Sequence, residues 1–293
     1  MKFAGSYVAL ATPFNKDGSL DESGLRRLVR SQMRAGTAGL VPCGSTGEAA
    51  TLSHDEYRRV IAVVLEQSRG DLPVIAGVGT NATAKAVEMA REAESLGADA
   101  LLLLAPYYNK PTQEGLYLHF KTVADSTRLP VVAYNIPGRA AVNILPQTLL
   151  RIARDCPNVT AVKEASGSLD QVSEIVAGAP KGFAVLSGDD SLTVPMMAVG
   201  ASGVISVVAN VEPKATADMC AAFMAGDAKK ARALHLKLFP LVKSLFVETN
   251  PIPVKAALEI MGLCSGRMRL PLTALASKHR PALRRQLRAC GLI

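Results

Sequence analysis

The sequence predicts an α/β protein: a (β/α)8 barrel of the TIM type followed by a C-terminal helical appendage. Three observations carry that expectation. One unit repeats along the chain, a short apolar run, a turn and then a helix-period pattern. The apolar runs are nearly continuous in Val, Ile, Leu and Ala, as strands buried on both faces require. Strand signals stop near Asp227, and only helical patterns follow.

Taken in order, the eight strand-like runs are Tyr7–Pro13, Gly39–Cys43, Pro73–Gly77, Ala100–Ala105, Val131–Tyr134, Val159–Lys163, Phe183–Ser187 and Gly203–Val208. Between them lie helices such as Asp55–Gln67, introduced by Ser53 as N-cap, and Thr83–Leu96, closed by Gly97 as C-cap. Eight such units favour a closed barrel over an open doubly wound sheet. The later helices are Ala228–Val247, Pro253–Met261 and Pro281–Ala289. We therefore divide the chain into a barrel over residues 1–226 and an appendage over residues 227–293. No flexible linker separates them, so the two are expected to form one structural unit.

Composition fits this scheme and excludes others. Hydrophobic residues make up 49% of the 293 residues, aromatics only 4%, and Trp is absent. No apolar stretch is long enough to span a bilayer, and the N-terminal segment does not read as a signal peptide. Five scattered cysteines without a CxxC pair point to reduced thiols in a cytoplasmic protein. The net charge of +8 is concentrated at the C-terminus: after Glu259 there are no acids, against Arg267, Arg269, Lys278, Arg280, Arg284, Arg285 and Arg288. That tail carries no aromatics, so we expect a solvated helix face or a subunit contact rather than nucleic-acid binding.

In a barrel of this kind, chemistry clusters at the C-terminal ends of the strands. Those ends present Gly44-Ser45-Thr46-Gly47-Glu48, Pro106-Tyr107-Tyr108-Asn109-Lys110-Pro111, Tyr134-Asn135-Ile136-Pro137-Gly138-Arg139, Lys163-Glu164-Ala165-Ser166-Gly167 and Gly188-Asp189-Asp190. Lys163 stands out, because it closes an otherwise apolar strand. An inward lysine is desolvated, its pKa falls, and the free amine can attack a carbonyl. The plain alternative is a strand-end lysine that reaches solvent or pairs with Glu164. Tyr134, on the adjacent strand, has a hydroxyl suited to the proton transfers of imine formation. The Gly44–Gly47 turn offers hydroxyls and backbone N–H groups to a carboxylate. Together these residues form an active-site set suited to a Schiff base with a small 2-oxo acid.

Rival chemistries find less support. His54, His119, His235 and His279 avoid the catalytic strand ends and form no ligand cluster, so no metal is expected. Gly77-Val78-Gly79-Thr80-Asn81-Ala82 matches a dinucleotide fingerprint, but the next strand ends without the acidic ribose ligand. Cys43 lacks a histidine at any catalytic strand end to activate it, and reads as a small buried hydrophobe.

Six segments, GSTGEAATLSHDE, PYYNKPTQEG, YNIPGR, VKEASG, SGDD and GVISVVANVEP, occur in an order that resembles the dihydrodipicolinate synthase family. That family belongs to the pyruvate-dependent class I aldolase superfamily, which also contains N-acetylneuraminate lyase. The resemblance runs from about Gly5 to the end of the chain, including NPIPVK near Asn250 and RLPL at Arg269–Leu272. It implies that Lys163 forms an imine with pyruvate and that no other cofactor is needed. Tyr134 would relay protons through Ser45 to Tyr108, which would reach in from a neighbouring subunit. Thr46 would hold the pyruvate carboxylate, Arg139 the carboxylate of aspartate 4-semialdehyde, and Gly188 and Ile205 would line the site. The implied assembly is a homotetramer built from tight dimers.

Three departures from the family pattern stand out. Ser45-Thr46 replaces the usual pair of threonines, a Ser-Thr pair being common among neuraminate lyases. Ala140-Ala141 follows Arg139 where the synthases usually carry threonine. The allosteric lysine pocket would correspond to His54, Tyr57, Asn81, Lys85 and Tyr107. There Lys85 replaces a glutamate, which opposes a lysine effector by like charge. Another pyruvate-dependent aldolase acting on a sugar acid is the alternative within enzymes, and Arg139 opposes it. A non-catalytic protein that binds a 2-oxo acid is the alternative of another class, and the intact set of Lys163, Tyr134 and Arg139 opposes it.

Overall fold

A computed structural model describes residues 1–293. Eight parallel strands follow one another: β1 (Gly5–Ala9), β2 (Gly39–Val41), β3 (Ile75–Gly77), β4 (Ala100–Leu104), β5 (Val131–Asn135), β6 (Val159–Glu164), β7 (Ala184–Ser187) and β8 (Gly203–Ser206). Their spatial order is β2-β1-β8-β7-β6-β5-β4-β3. The seam between β2 and β3 is joined by a single parallel bridge, Leu40 to Val74. Backbone hydrogen bonds from Leu40 N–H to Pro73 O and from Gly77 N–H to Pro42 O complete it. The (β/α)8 barrel expected from the sequence is the observed fold.

Every predicted strand is present, but six are shorter than their apolar runs, and three of these truncations have a hydrogen-bonding cause. β1 stops at Ala9 because the Ala11 N–H turns to the side-chain carbonyl of Asn210. β3 starts at Ile75 because Pro73 has no N–H to give and contributes only its carbonyl. β8 ends at Ser206 because the Val207 and Val208 N–H groups both donate to Asp190 Oδ2, and the chain then coils through Val208–Asn210. All three departures lie at strand ends, and two lie at the mouth where side chains take over from the ladder.

Two apolar layers result. Inside the barrel, Tyr7, Ile75, Leu102, Val132, Ala161, Leu186 and Ile205 pack with Tyr134. Outside it, a larger layer joins the strands to the helices and extends into the C-terminal segment through Leu241, Val254, Leu283 and Leu287. Helix Asp55–Gln67 of the sequence reading spans His54–Ser68, with Ser53 and Glu56 in a reciprocal capping box. Helix Thr83–Leu96 ends on Gly97 in the left-handed conformation. The late helices are Ala228–Leu245, Ile252–Ile260 and Arg280–Ala289. No helix is long and apolar enough to cross a membrane.

Candidate active site

Register places the two central residues. Tyr134 on β5 pairs with Lys163 on β6, so their side chains stand next to each other on one face. Ala161, two residues before Lys163, belongs to the inner layer, and alternation therefore sends Lys163 into the barrel mouth as well. Its ammonium nitrogen sits 4.2 Å from the centre of the Tyr134 ring. Lys163 is only 5% exposed. Burial pushes its pKa down to about 8, against the opposing pull of Asp190 and Asp189. The neighbouring carboxylate takes no part in neutralising it. Glu164 faces the other way and accepts from Asn135 Nδ2, Ser166 N–H and Gln171 Nε2. The plain reading of a lysine paired with Glu164 or open to solvent does not describe this residue.

Tyr134 is likewise buried, and burial pushes its phenol above the usual range, so it stays protonated and can act as a donor. Its hydroxyl makes no hydrogen bond within the chain, and neither does the Ser45 hydroxyl. Tyr134 and Ser45 both line a cavity of about 530 Å³, together with Gly44, Arg139 and Asn250. Lys163 lies behind that lining, against Tyr134, and Thr46 lies behind it, against Asn250. Gly188 closes on the same lysine, since a Cβ there would stand 3.3 Å from Lys163 Cε and clash with Ala165 Cβ. Ile205 is fully buried in the inner layer next to these groups.

The turn after β2 is held from a distance. Cys43 and Glu48 both adopt positive φ, at 56° and 53°, so the segment between them is sharply bent. Glu48 is fully buried and ion-paired with Lys255, whose nitrogen lies 2.6 Å from Glu48 Oε1. The second carboxylate oxygen accepts from the Arg269 N–H. Arg269 also forks onto Glu56, holding that carboxyl down to about 2, and stacks on the Phe14 ring, which the Lys255 ammonium also approaches. Asn250 Nδ2 donates to Thr46 Oγ1 at 2.9 Å, and Asn250 O accepts from Arg139 Nη2 at 2.8 Å. The C-terminal segment therefore supplies one wall of the site.

Sequence reasoning singled out neither Asn250, Glu48, Lys255 nor Asp190 for a role. Asp190 is buried, accepts from Val207 and Val208, and places a negative charge near Lys163. The only early signal was their presence in the NPIPVK, GSTGE and SGDD segments.

Tyr108 is not brought to this site. It is 86% exposed with φ of 74°, an unusual conformation for tyrosine, on the loop after β4. The neighbouring Tyr107 does line the cavity, as do His54, Tyr57 and Lys85. Asn81 is not part of the lining and instead accepts through its carbonyl from Asn109 Nδ2. Lys85 pairs with Glu88 at 3.0 Å, and His54 approaches Glu92 at 3.1 Å.

The rival motifs find packing explanations. A Cβ at Gly77 would collide with the Cys43 carbonyl, and one at Gly79 with Leu104, so these glycines serve close strand packing. Cys43 is buried, and burial pushes its thiol upward, away from nucleophilic reactivity.

A parallel eight-stranded barrel with a desolvated strand-borne lysine at its mouth defines the class of barrel proteins equipped for amine–carbonyl chemistry. Within that class, the chain belongs to the dihydrodipicolinate synthetase family, whose model matches residues 2–290. It is 52% identical over 291 residues to 4-hydroxy-tetrahydrodipicolinate synthase of Pelobacter propionicus, covering 99% of this chain and 100% of the relative. The crystal structure of dihydrodipicolinate synthase from Thermotoga maritima superposes with a TM-score of 0.98 at 46% identity, over 100% of both chains. That of the Acinetobacter baumannii enzyme complexed with pyruvate gives 0.97 at 44% identity, over 99% of both.

Proposed function

We infer that this chain condenses pyruvate with L-aspartate 4-semialdehyde to 4-hydroxy-tetrahydrodipicolinate and water, in lysine and diaminopimelate biosynthesis. The observation that carries the mechanism is Lys163, a buried amine pushed down to about 8 next to Tyr134. The Lys163 amine adds to C2 of pyruvate, and loss of water gives the imine. Loss of a C3 proton gives the enamine, whose carbon attacks the aldehyde while the aldehyde oxygen takes up a proton. The α-amine of the second substrate then adds to the imine carbon and expels Lys163, closing the ring. The imine is itself the electron sink, so the scheme needs no metal or organic cofactor.

Tyr134 exchanges the protons of carbinolamine formation and dehydration, with Ser45 next in the relay. Thr46 receives the pyruvate carboxylate and Arg139 that of the semialdehyde, where a planar bidentate donor suits a carboxylate. Gly188 and Ile205 close the walls around the imine. The exposed Tyr108 completes the relay from a second copy of the chain, within a homotetramer of tight dimers in the cytoplasm. Support for that assignment is the exposure and positive φ of Tyr108, costs that a subunit contact would offset.

Intact-mass spectrometry after pyruvate and sodium borohydride tests the core of this reading. Wild type gains one reduced pyruvate, and Lys163→Ala gains none. A wild type without adduct removes the mechanism. Lysine feedback is weak or absent, because Lys85 lines the cavity together with His54, Tyr57 and Tyr107 and adds a like charge where a lysine effector would bind. Half-inhibition below roughly millimolar lysine, which corresponds to about 4 kcal/mol of binding, overturns that part alone.

A further inference from the structure

We propose that Asn250 is a positioning residue that aims the Thr46 hydroxyl proton at the pyruvate carboxylate while its backbone separately anchors Arg139. The proposal rests on the roles given above to Thr46 and Arg139. Asn250 Nδ2 donates to Thr46 Oγ1, and the buried Thr46 hydroxyl donates to nothing else in the chain. With its lone pair engaged by an amide, that hydroxyl keeps its own proton for an incoming acceptor, and a carboxylate is such an acceptor. The same residue fixes the Arg139 guanidinium through its carbonyl, so one point of the C-terminal segment sets the spacing of two carboxylate subsites.

The point is rigid for a physical reason. Five residues further on, Lys255 makes its fully buried ion pair with Glu48, on the same turn as Thr46. Asn250 is therefore pinned to the turn it directs. The amide orientation matters to the chemistry. Nitrogen toward Thr46 makes the threonine an acceptor and leaves its proton free. Oxygen toward Thr46 would take that proton away from the substrate.

Steady-state kinetics on Asn250→Ala, Asn250→Asp, Thr46→Val and the Ala/Val double variant separate these cases. Asn250→Ala is expected to raise the KM for pyruvate about tenfold. The KM for the semialdehyde stays within about twofold, because the backbone carbonyl that holds Arg139 remains. The double variant is expected to be no worse than Thr46→Val alone, since an interaction acting through one hydroxyl is not additive. Asn250→Asp keeps the shape but loses the donor, and should raise the pyruvate KM at least as much as alanine does.

An aspartate variant with wild-type pyruvate KM overturns the proposal, because a carboxylate can only accept from Thr46. Parallel rises in both KM values, or multiplicative effects in the double variant, overturn it too and mark Asn250 as general support. The borohydride adduct at saturating pyruvate tells the two readings apart. If wild type forms no adduct, the proposed function falls and takes this inference with it. If all variants form the adduct, only the KM pattern decides.

Discussion

Two halves of the same site are built in different ways. The lysine half, Lys163 with Tyr134, is made by neighbouring strands in register, with Gly188 closing from the next turn. The half after β2, Thr46 with Glu48, depends on residues more than 200 positions away, Asn250 and Lys255. The first is a consequence of strand alternation, so a change there alters chemistry while the barrel persists. The second is held by a buried charge pair, so a change there costs stability first and function through it. A (β/α)8 barrel can thus place a buried amine by local geometry and take part of the wall of its cavity from outside the repeat.

The largest expected effect tests the distant half. Lys255→Met leaves the Glu48 carboxylate buried without its partner, which costs about 3–5 kcal/mol. Glu48→Gln leaves the ammonium in the same position and is expected to cost a similar amount. The double variant should recover much of the loss, because the gap left is small and no lone charge remains. Urea denaturation of the three variants checks this. Additive losses would mean that the pair is not the link between the C-terminal segment and the turn.

A smaller effect sharpens the near half. Tyr134→Phe keeps the ring over Lys163 but removes the hydroxyl, and about a hundredfold loss of kcat is expected, typical of a lost general acid–base group. Its thermal midpoint should stay close to wild type, because the hydroxyl makes no hydrogen bond within the chain. A drop in stability comparable to Lys255→Met would erase the contrast between the halves.

The smallest effect is graded by pH. Lys163 is lowered from an ordinary value of 10.5 to about 8 by burial. In the proposed mechanism only the neutral amine attacks pyruvate, so the rate of imine formation should rise with pH and level off above about 8. At pH 7 about a tenth of the amine is neutral. Stopped-flow trapping of the imine across pH 6–10 measures the profile. A rise that continues to pH 10 would show an amine with no lasting desolvation.

Much of the fold was legible because it rests on short-range rules. Apolar runs gave the eight strands, and the Ser53 cap and Gly97 end bounded their helices as expected. The strand ends were overestimated where side chains compete for backbone N–H groups, Asn210 at Ala11 and Asp190 at Val207. No local pattern announces those partners. The dinucleotide-like glycines were an ambiguity of the same kind, resolved only by the atoms that crowd Gly77 and Gly79.

For the site, the sequence by itself determined that a lysine ends an apolar strand beside a tyrosine. It also determined that a small-residue turn with hydroxyls follows β2 and that an arginine follows β5. These follow from alternation and the order of elements, properties carried by neighbouring residues. Only the tertiary structure decided that Lys163 is dry, that Glu164 faces away from it, and that Asn250 and Lys255 reach Thr46 and Glu48. Desolvation depends on what packs over a group, and a contact across 204 residues depends on how one segment docks against another. Neither is encoded in any local stretch of chain, and both arise only when the barrel and its C-terminal helices share one core.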